Sequence, residues 1–257
     1  MAGTIQRKTE TMKYELQTIP VWDALRKEGE CPICNLMQAA EKDSLDFYTG
    51  SSVMNPETRV KVNTTGFCPH HLQLLAESGH PQSLAVMLRS VVQQRIADLE
   101  KPFSAICSSK PGRATDKAIS AFADSVFEHE QGCLICQRME NRLIRYCYTV
   151  AVLWDTDVEF RHVLEESKGF CLHHFVRILE ISGKALPART RAEFIHSMAM
   201  LEKKGLLHTA DDVEWMTQMY KSENDGKDWN GCEDAHIRAA YRMIGKGRID
   251  DEDNKQV

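Results

Sequence analysis

Apolar positions in this 257-residue chain recur at helical spacing and rarely alternate. After a polar stretch over 1–11, Tyr14, Leu16, Thr18 and Pro20 alternate weakly and predict a short extended arm. Pro20 ends it, because proline fixes φ and has no N–H to donate. Val21 to Lys27 predicts a turn or two of helix carrying Trp22 and Leu25. Leu36, Met37, Ala40, Leu45 and Phe47 outline a helix that opens at Cys31 and Pro32 and stops at Thr49 to Ser52; Asn55 and Pro56 read as a further turn. A short helix then runs from Cys68 and Pro69 through Leu72, Leu74 and Leu75 to Ser78 and Gly79. Pro81 starts a longer one, with Leu84, Met87, Leu88, Val91, Val92, Ile96 and Leu99 on one face.

Residues 101–116 hold prolines, a glycine, serines and a threonine outside any period, and read as a linker. Beyond it the order repeats. A helix covers 117–130, another runs from Cys133 to about Val152, and a connection follows. A third runs from Cys171 to Gly183 and a fourth from about Pro187 to Lys204. Thr209 or Asp211 caps a helix over Val213 to Tyr220. A polar break at Ser222 to Gly231 precedes a last helix, Glu233 to Gly245, and an acidic tail from Asp250 reads as disordered. No strand-forming series competes, so the expected fold class is all-α. The expected organisation is an extension and arm over 1–20, a metal-binding module over 21–101 and a linker over 102–116. A second metal-binding module over 117–205, a C-terminal helical cap over 206–249 and the tail follow.

The modules are tied together by chemistry. Cys31-Pro32-Ile33-Cys34 is followed by Gly66-Phe67-Cys68-Pro69-His70-His71. Cys133-Leu134-Ile135-Cys136 is followed by Gly169-Phe170-Cys171-Leu172-His173-His174. The cysteine pairs are offset by 102 residues and the Cys–His pairs by 103. Two soft donors three residues apart at a helix start lie on one face and grip one ion, and the helix N-terminus favours thiolate over thiol. Thiolate and imidazole select zinc or iron over magnesium or calcium. The candidate ligands are Cys31, Cys34, Cys68, His71, Cys133, Cys136, Cys171 and His174. His71 and His174 share a helical face with their cysteines, whereas His70 and His173 point away and stand as alternatives or supporting groups. Each cysteine pair can meet the Cys–His pair of its own module or of the other; pairing within a module is the simpler reading.

Two zinc ions in closed Cys₃His sites are the expected cofactors, with an iron–sulfur cluster as the alternative, although such clusters normally take four cysteines. Covalent haem attachment needs a histidine directly after C-x-x-C, where Asn35 and Gln137 stand. Thioredoxin-like chemistry needs a βαβ pattern and leaves Cys68 and Cys171 unexplained. Cys107, Cys147 and Cys232 lack partners at metal spacing and read as buried or linker thiols. Glu41, Asp43 and Asp46 have no carboxylate counterpart in the second module beyond Glu140, so no paired acid–base site is supported. Arg138, Arg142 and Arg145 form a basic stripe that reads as a solvated face, and Trp215, Tyr220 and Trp229 are expected to pack over the modules.

Composition narrows the setting. The chain is 42% hydrophobic and 27% charged, as in soluble globular proteins. A net charge of -5 and a pI near 6.1 argue against nucleic-acid or anionic-membrane binding by bulk charge. The N-terminus has no signal-peptide core and the apolar run from Tyr148 to Trp154 is far too short to span a bilayer. A reducing cytoplasm follows, in which nine cysteines read as ligands and buried thiols, not disulfides.

These residues also carry a resemblance. Met12-Lys13-Tyr14-Glu15-Leu16-Gln17-Thr18-Ile19-Pro20-Val21 before the first cysteine pair resembles the opening of a bacterial group known as domain of unknown function 6062. Met54-Asn55-Pro56-Glu57-Thr58-Arg59 is similar to that group's Met-x-Pro-acid-x-Arg segment. Ser167-Lys168-Gly169-Phe170-Cys171-Leu172-His173-His174 matches its second Cys–His element, and Trp229 to Ala240 resembles its ending. The resemblance covers nearly the whole chain from Met12 and implies a cytoplasmic bacterial protein, with no activity attached.

The residues themselves predict a protein without catalytic residues: four protein ligands close a tetrahedral zinc and leave no position for water or substrate. The leading expectation is a non-enzymatic binding or adaptor protein for an unidentified protein or small ligand. A redox or iron–sulfur protein and a catalytic-zinc enzyme are the rivals.

Overall fold

The computed structural model describes residues 16–128 and 132–246, and every regular element among them is a helix. In chain order these are α1 (Thr18–Arg26), α2 (Pro32–Thr49), α3 (Pro56–Thr65), α4 (Pro69–Glu77), α5 (Pro81–Cys107) and α6 (Arg113–Phe127). There follow α7 (Leu134–Thr156), α8 (Val158–Glu166), α9 (Leu172–Ala185), α10 (Ala188–Met219) and α11 (Ala235–Ile244). Short 3-10 turns stand at Ser51–Met54 and Ser222–Asn224. No helix among the described residues is long and apolar enough to cross a membrane. The polar extension, the first residues of the expected arm, His129 and the acidic tail lie outside the described residues.

Local chemistry explains where the helices depart from the expected ones. Thr18 to Pro20 belong to the first turn of α1, not to an extended arm, since a missing N–H costs nothing there. Asn55 and Pro56 open α3: the Asn55 side chain accepts the N–H of Glu57 at 2.8 Å, and Pro56 stands at the first helical position. α3 escapes a search for apolar stripes because it buries one side chain, Val62. α5 continues through Pro102 to Cys107, which shrinks the expected linker to residues 108–112; Phe103 packs on Phe122 of α6 with ring centroids 4.9 Å apart. The expected connection after α7 contains α8, capped by Asp157, which accepts the N–H of Phe160 at 3.0 Å. α10 runs unbroken through Thr209, whose hydroxyl donates to the Gly205 carbonyl at 2.9 Å and so acts inside a helix instead of capping one.

The chain separates into two compact units: a discontinuous unit, Met1–Gln38 with Arg142–Val257, and an inserted unit, Ala39–Asn141. This division differs from the successive modules over 21–101 and 117–205. The first cysteine pair lies in the discontinuous unit with the second half of the chain, and the second pair lies in the inserted unit. In the discontinuous unit one core gathers Val21, Ile33, Leu36, Tyr146, Ala151, Trp154, Phe160, Phe170, Ile178, Phe194 and Met198. α11 packs on α9 and α10 there, so the C-terminal helix is part of this unit's body. Tyr220 and Trp229 pack on each other, with centroids 5.7 Å apart; Tyr220 is exposed and Trp229 half-buried.

The inserted unit has a smaller core: Tyr48, Val53, Val62, Leu75, Met87, Leu134 and Ile135 with Cys133. Of the 27 residues of α5 only Met87 is buried, and α6 buries none of its own. Each fully buried side chain of this size contributes about 1.5–3 kcal/mol. The hydrophobic contribution therefore differs severalfold between the two units, and the inserted unit depends more on whatever else holds it.

Candidate metal centres

The chain builds the same local device four times. Cys31 and Cys133 directly precede α2 and α7, and their carbonyls accept the first helical N–H bonds, from Asn35 at 3.4 Å and Gln137 at 3.0 Å. Cys34 and Cys136 sit within the first turns. Cys68 and Cys171 are the N-cap residues of α4 and α9, with extended backbone, and His71 and His174 lie one turn inside. The glycine of each G-F-C run has a structural reason. Gly66 and Gly169 adopt φ of +70° and +85°, the left-handed region that glycine enters freely, and turn the chain into the cysteine. The phenylalanines anchor the turn: Phe67 packs edge-on against Tyr48, and Phe170 is buried in the discontinuous unit's core.

Two clusters result. In the discontinuous unit the Nδ1 atom of His174 lies 3.5 Å from Cys31 Sγ, 3.4 Å from Cys34 Sγ and 3.3 Å from Cys171 Sγ. Cys34 Sγ and Cys171 Sγ are 3.7 Å apart. In the inserted unit the Nδ1 atom of His71 lies 3.2 Å from Cys68 Sγ, 3.4 Å from Cys133 Sγ and 3.3 Å from Cys136 Sγ. Cys68 Sγ and Cys136 Sγ are 3.9 Å apart. Within each cluster all four donor atoms lie within 4.8 Å of one another, and each set could hold a metal ion.

The pairing is crossed. Cys31 and Cys34 meet Cys171 and His174, and Cys133 and Cys136 meet Cys68 and His71, which corrects the expectation of pairing within each module. Chain entropy opposes this only weakly. Closing from Cys34 to Cys171, 137 residues, instead of to Cys68, 34 residues, is two doublings of loop length and costs about 1.2 kcal/mol more. Packing outweighs that: Ile33 and Leu36 are buried in the same core as Phe170, and Leu134 and Ile135 in the same core as Val62 and Leu75. The Leu134 N–H also bonds the Gly66 carbonyl at 3.1 Å, which joins the two ligand loops of the inserted unit directly.

Electrostatics sets the sulfurs of each cluster apart. Burial holds the Cys31 thiol well above its ordinary range, reinforced by Cys171 and Cys34. Cys34 is lowered to about 3, mainly by hydrogen bonds from Cys171 and Cys31, with the Lys246 N–H contributing. In the other cluster partial desolvation of the sulfur, with Cys133 beside it, pushes Cys136 up to about 12. Cys133 is lowered: burial works against this, and N–H groups of Cys136 and Cys68 outweigh it. Three thiolates at this spacing repel one another, and a cation among them favours the charged form.

Supporting groups outside the repeated motifs complete the centres. The His71 Nε2–H donates to Glu41 Oε1 at 3.1 Å, which leaves Nδ1 as the acceptor facing three sulfurs. Such a carboxylate behind a histidine is the usual partner of a metal-ligating imidazole. In the discontinuous unit Arg242, 2% exposed, locks both ligand loops. Its guanidinium donates to the Phe170 carbonyl at 3.0 Å and the Lys168 carbonyl at 2.7 Å. It pairs with Glu202 and with Glu30, the residues behind Cys171 and before Cys31, each at 3.4 Å. Glu202 also accepts the Phe170 N–H at 3.1 Å; burial raises its carboxyl, against the pull of that N–H and of Arg242. Gly205 makes the arrangement possible, because a Cβ there would stand 2.7 Å from the Lys168 carbonyl oxygen.

The two clusters differ in cover. Cys31, Cys34, Cys171 and His174 are all buried, and the chain after α11 closes over them. The Lys246 N–H donates to Cys34 Sγ at 3.3 Å, and a Cβ on Gly245 would stand 3.4 Å from Cys171 Sγ. In the inserted unit Cys133 and His71 are buried, Cys68 is half-buried and Cys136 is exposed.

The remaining candidates fall outside both groups. His70 and His173 are exposed and their rings stack edge-on against the clustered histidines, at 5.1 and 5.2 Å. Cys147 is buried in a core, Cys107 is exposed, and Cys232 is buried beside Asp212. Arg138 lies over the Phe47 ring at 4.6 Å. The sequence points to Glu41 only as a candidate for an acid–base pair, and to Glu202, Arg242, Gly245 and Lys246 not at all as supporting groups, because none stands at a fixed spacing from the cysteines it serves.

The chain belongs to the family of unknown function DUF6062, whose profile matches residues 12–250. No curated protein and no solved structure matches it.

Proposed function

We propose that this member of the family is a zinc protein with two structural Cys₃His sites and acts without catalysis, as a binding or adaptor protein in the reducing cytoplasm of a bacterium. The observation that carries the reading is the convergence, twice, of three sulfurs and one imidazole Nδ1 on a point, in a chain none of whose nine cysteines is in a disulfide. A tetrahedral zinc with bonds of about 2.3 Å to sulfur and 2.0–2.1 Å to nitrogen sets sulfurs about 3.8 Å apart and sulfur about 3.5 Å from nitrogen. The Cys34–Cys171 and Cys68–Cys136 sulfur separations of 3.7 and 3.9 Å, and the 3.2 to 3.5 Å from sulfur to Nδ1, lie close to that tetrahedron. Four protein donors fill the coordination shell, so the ions tie helix starts together instead of activating water. A cavity of about 500 Å³ beside Cys31 and Cys34, lined also by Asn35, Gln38, Arg238 and Tyr241, offers a binding surface on the same unit.

Elemental analysis after anaerobic purification without chelators tests the reading. Two zinc atoms per chain and no visible absorbance are expected. Iron with acid-labile sulfide would overturn it in favour of a redox centre, and a metal-free folded protein would overturn it outright.

A further inference from the structure

The two clusters differ in access to sulfur. In the inserted unit Cys136 is exposed and Cys68 half-buried, and their sulfurs are 3.9 Å apart. In the discontinuous unit the corresponding sulfurs are buried beneath Gly245 and Lys246. A metal-bound cysteine is already a thiolate, so at equal charge the reachable one reacts first. The unit around it has the smaller core and more to lose when its metal leaves.

We infer that the Cys68, His71, Cys133, Cys136 cluster is a peroxide-reactive zinc–thiolate site, with Cys136 as the attacking sulfur and Cys68 as the resolving one. The inference rests on zinc being the ion held there. The Cys136 thiolate attacks one oxygen of hydrogen peroxide, the O–O bond breaks, and hydroxide leaves a sulfenic acid on Cys136. The Cys68 thiolate then attacks that sulfur, forms the Cys68–Cys136 disulfide and expels a second hydroxide. Two thiolates lose two electrons, peroxide gains them, and zinc keeps only His71 and Cys133 and departs. The inserted unit thereby loses the clasp joining α4 to α7, while the discontinuous unit keeps its own.

The test uses the full-length protein. Its zinc content is first measured without oxidant, which checks the ion independently. Hydrogen peroxide is then added with a chromogenic zinc chelator, free thiols are counted, and disulfides are mapped by mass spectrometry. One zinc per chain is expected in a fast phase, about tenfold or more ahead of the second. Two thiols should be lost with it and the Cys68–Cys136 peptide pair recovered. Cys136→His retains four ligands and should keep both zinc atoms while losing the fast phase. Two zinc atoms released together, or a first disulfide among Cys31, Cys34 and Cys171, would overturn this inference and leave the zinc reading standing. Fewer than two zinc atoms before any peroxide would overturn both.

Discussion

The two clusters hold the same donors on the same local frame, a C-x-x-C at one helix start and a C-x-H-H at another, with nearly equal separations between donor atoms. One is sealed in a large core by Arg242, Gly245 and Lys246; the other opens an edge to solvent at Cys136 and is steadied by Glu41 behind its histidine. The difference shows that one donor motif can stand in two surroundings, and that residues far away in sequence set how accessible its sulfurs are. Two copies of one motif can thus carry different roles in one chain.

Removing a sulfur from the open cluster is expected to have the largest effect, because the core around it is the smaller. Cys133→Ser should lose one of two metal atoms and unfold the inserted unit at room temperature, a loss on the order of 5 kcal/mol or more, read from denaturant unfolding alongside metal content. A variant keeping wild-type stability would show that the core holds without its ion.

Arg242→Met should cost about 3–5 kcal/mol, because it leaves Glu30 and Glu202 buried without their counter-charge. The inserted unit's metal should stay in place, so selective loss of the other metal against a chelator would sharpen the comparison. Loss of both at equal rates would break it.

Glu41→Gln probes the open cluster alone. It retains the size of the side chain and weakens the hold on the His71 ring, and should lower metal affinity there about 10–100-fold, measured by competition with a calibrated chelator. An unchanged affinity would mean that the ring needs no such support.

The smallest effect is expected from Gly245→Ala, about 1–2 kcal/mol, from a left-handed backbone at φ +86° and a methyl group brought to 3.4 Å from Cys171 Sγ. Its readout is faster alkylation of Cys34 and Cys171 by iodoacetamide, with no change at Cys136. Equal reactivity before and after the substitution would show that the segment after α11 is no cover.

Much of the fold is legible in the amino-acid sequence. α5 announces itself through a long apolar face, and α2, α4, α7 and α9 through a Cys-led start followed by apolar positions. α3 did not, because one buried valine leaves no stripe, and the Asn-Pro that begins it is equally good chemistry for a turn. α10 looked like two helices because Thr209, Asp211 and Asp212 are capping residues wherever a helix happens to start; in mid-helix Thr209 simply bonds back to Gly205. The eight ligand candidates were legible because a metal site demands fixed spacing along a helix. Their partners were not, since Arg242 reaches Glu30 across 212 residues.

The sequence by itself determined the all-helical class, the repeated donor set and the glycine, cysteine and histidine positions of each half-site, because these depend on interactions within about one helical turn. The tertiary structure alone decided which half-sites meet, and which cluster is sealed. The crossed closure costs only about 1.2 kcal/mol more chain entropy at the Cys31–Cys34 site and about 0.6 kcal/mol more at the Cys133–Cys136 site, so the burial of Ile33 with Phe170 and of Leu134 with Leu75 is enough to choose between them.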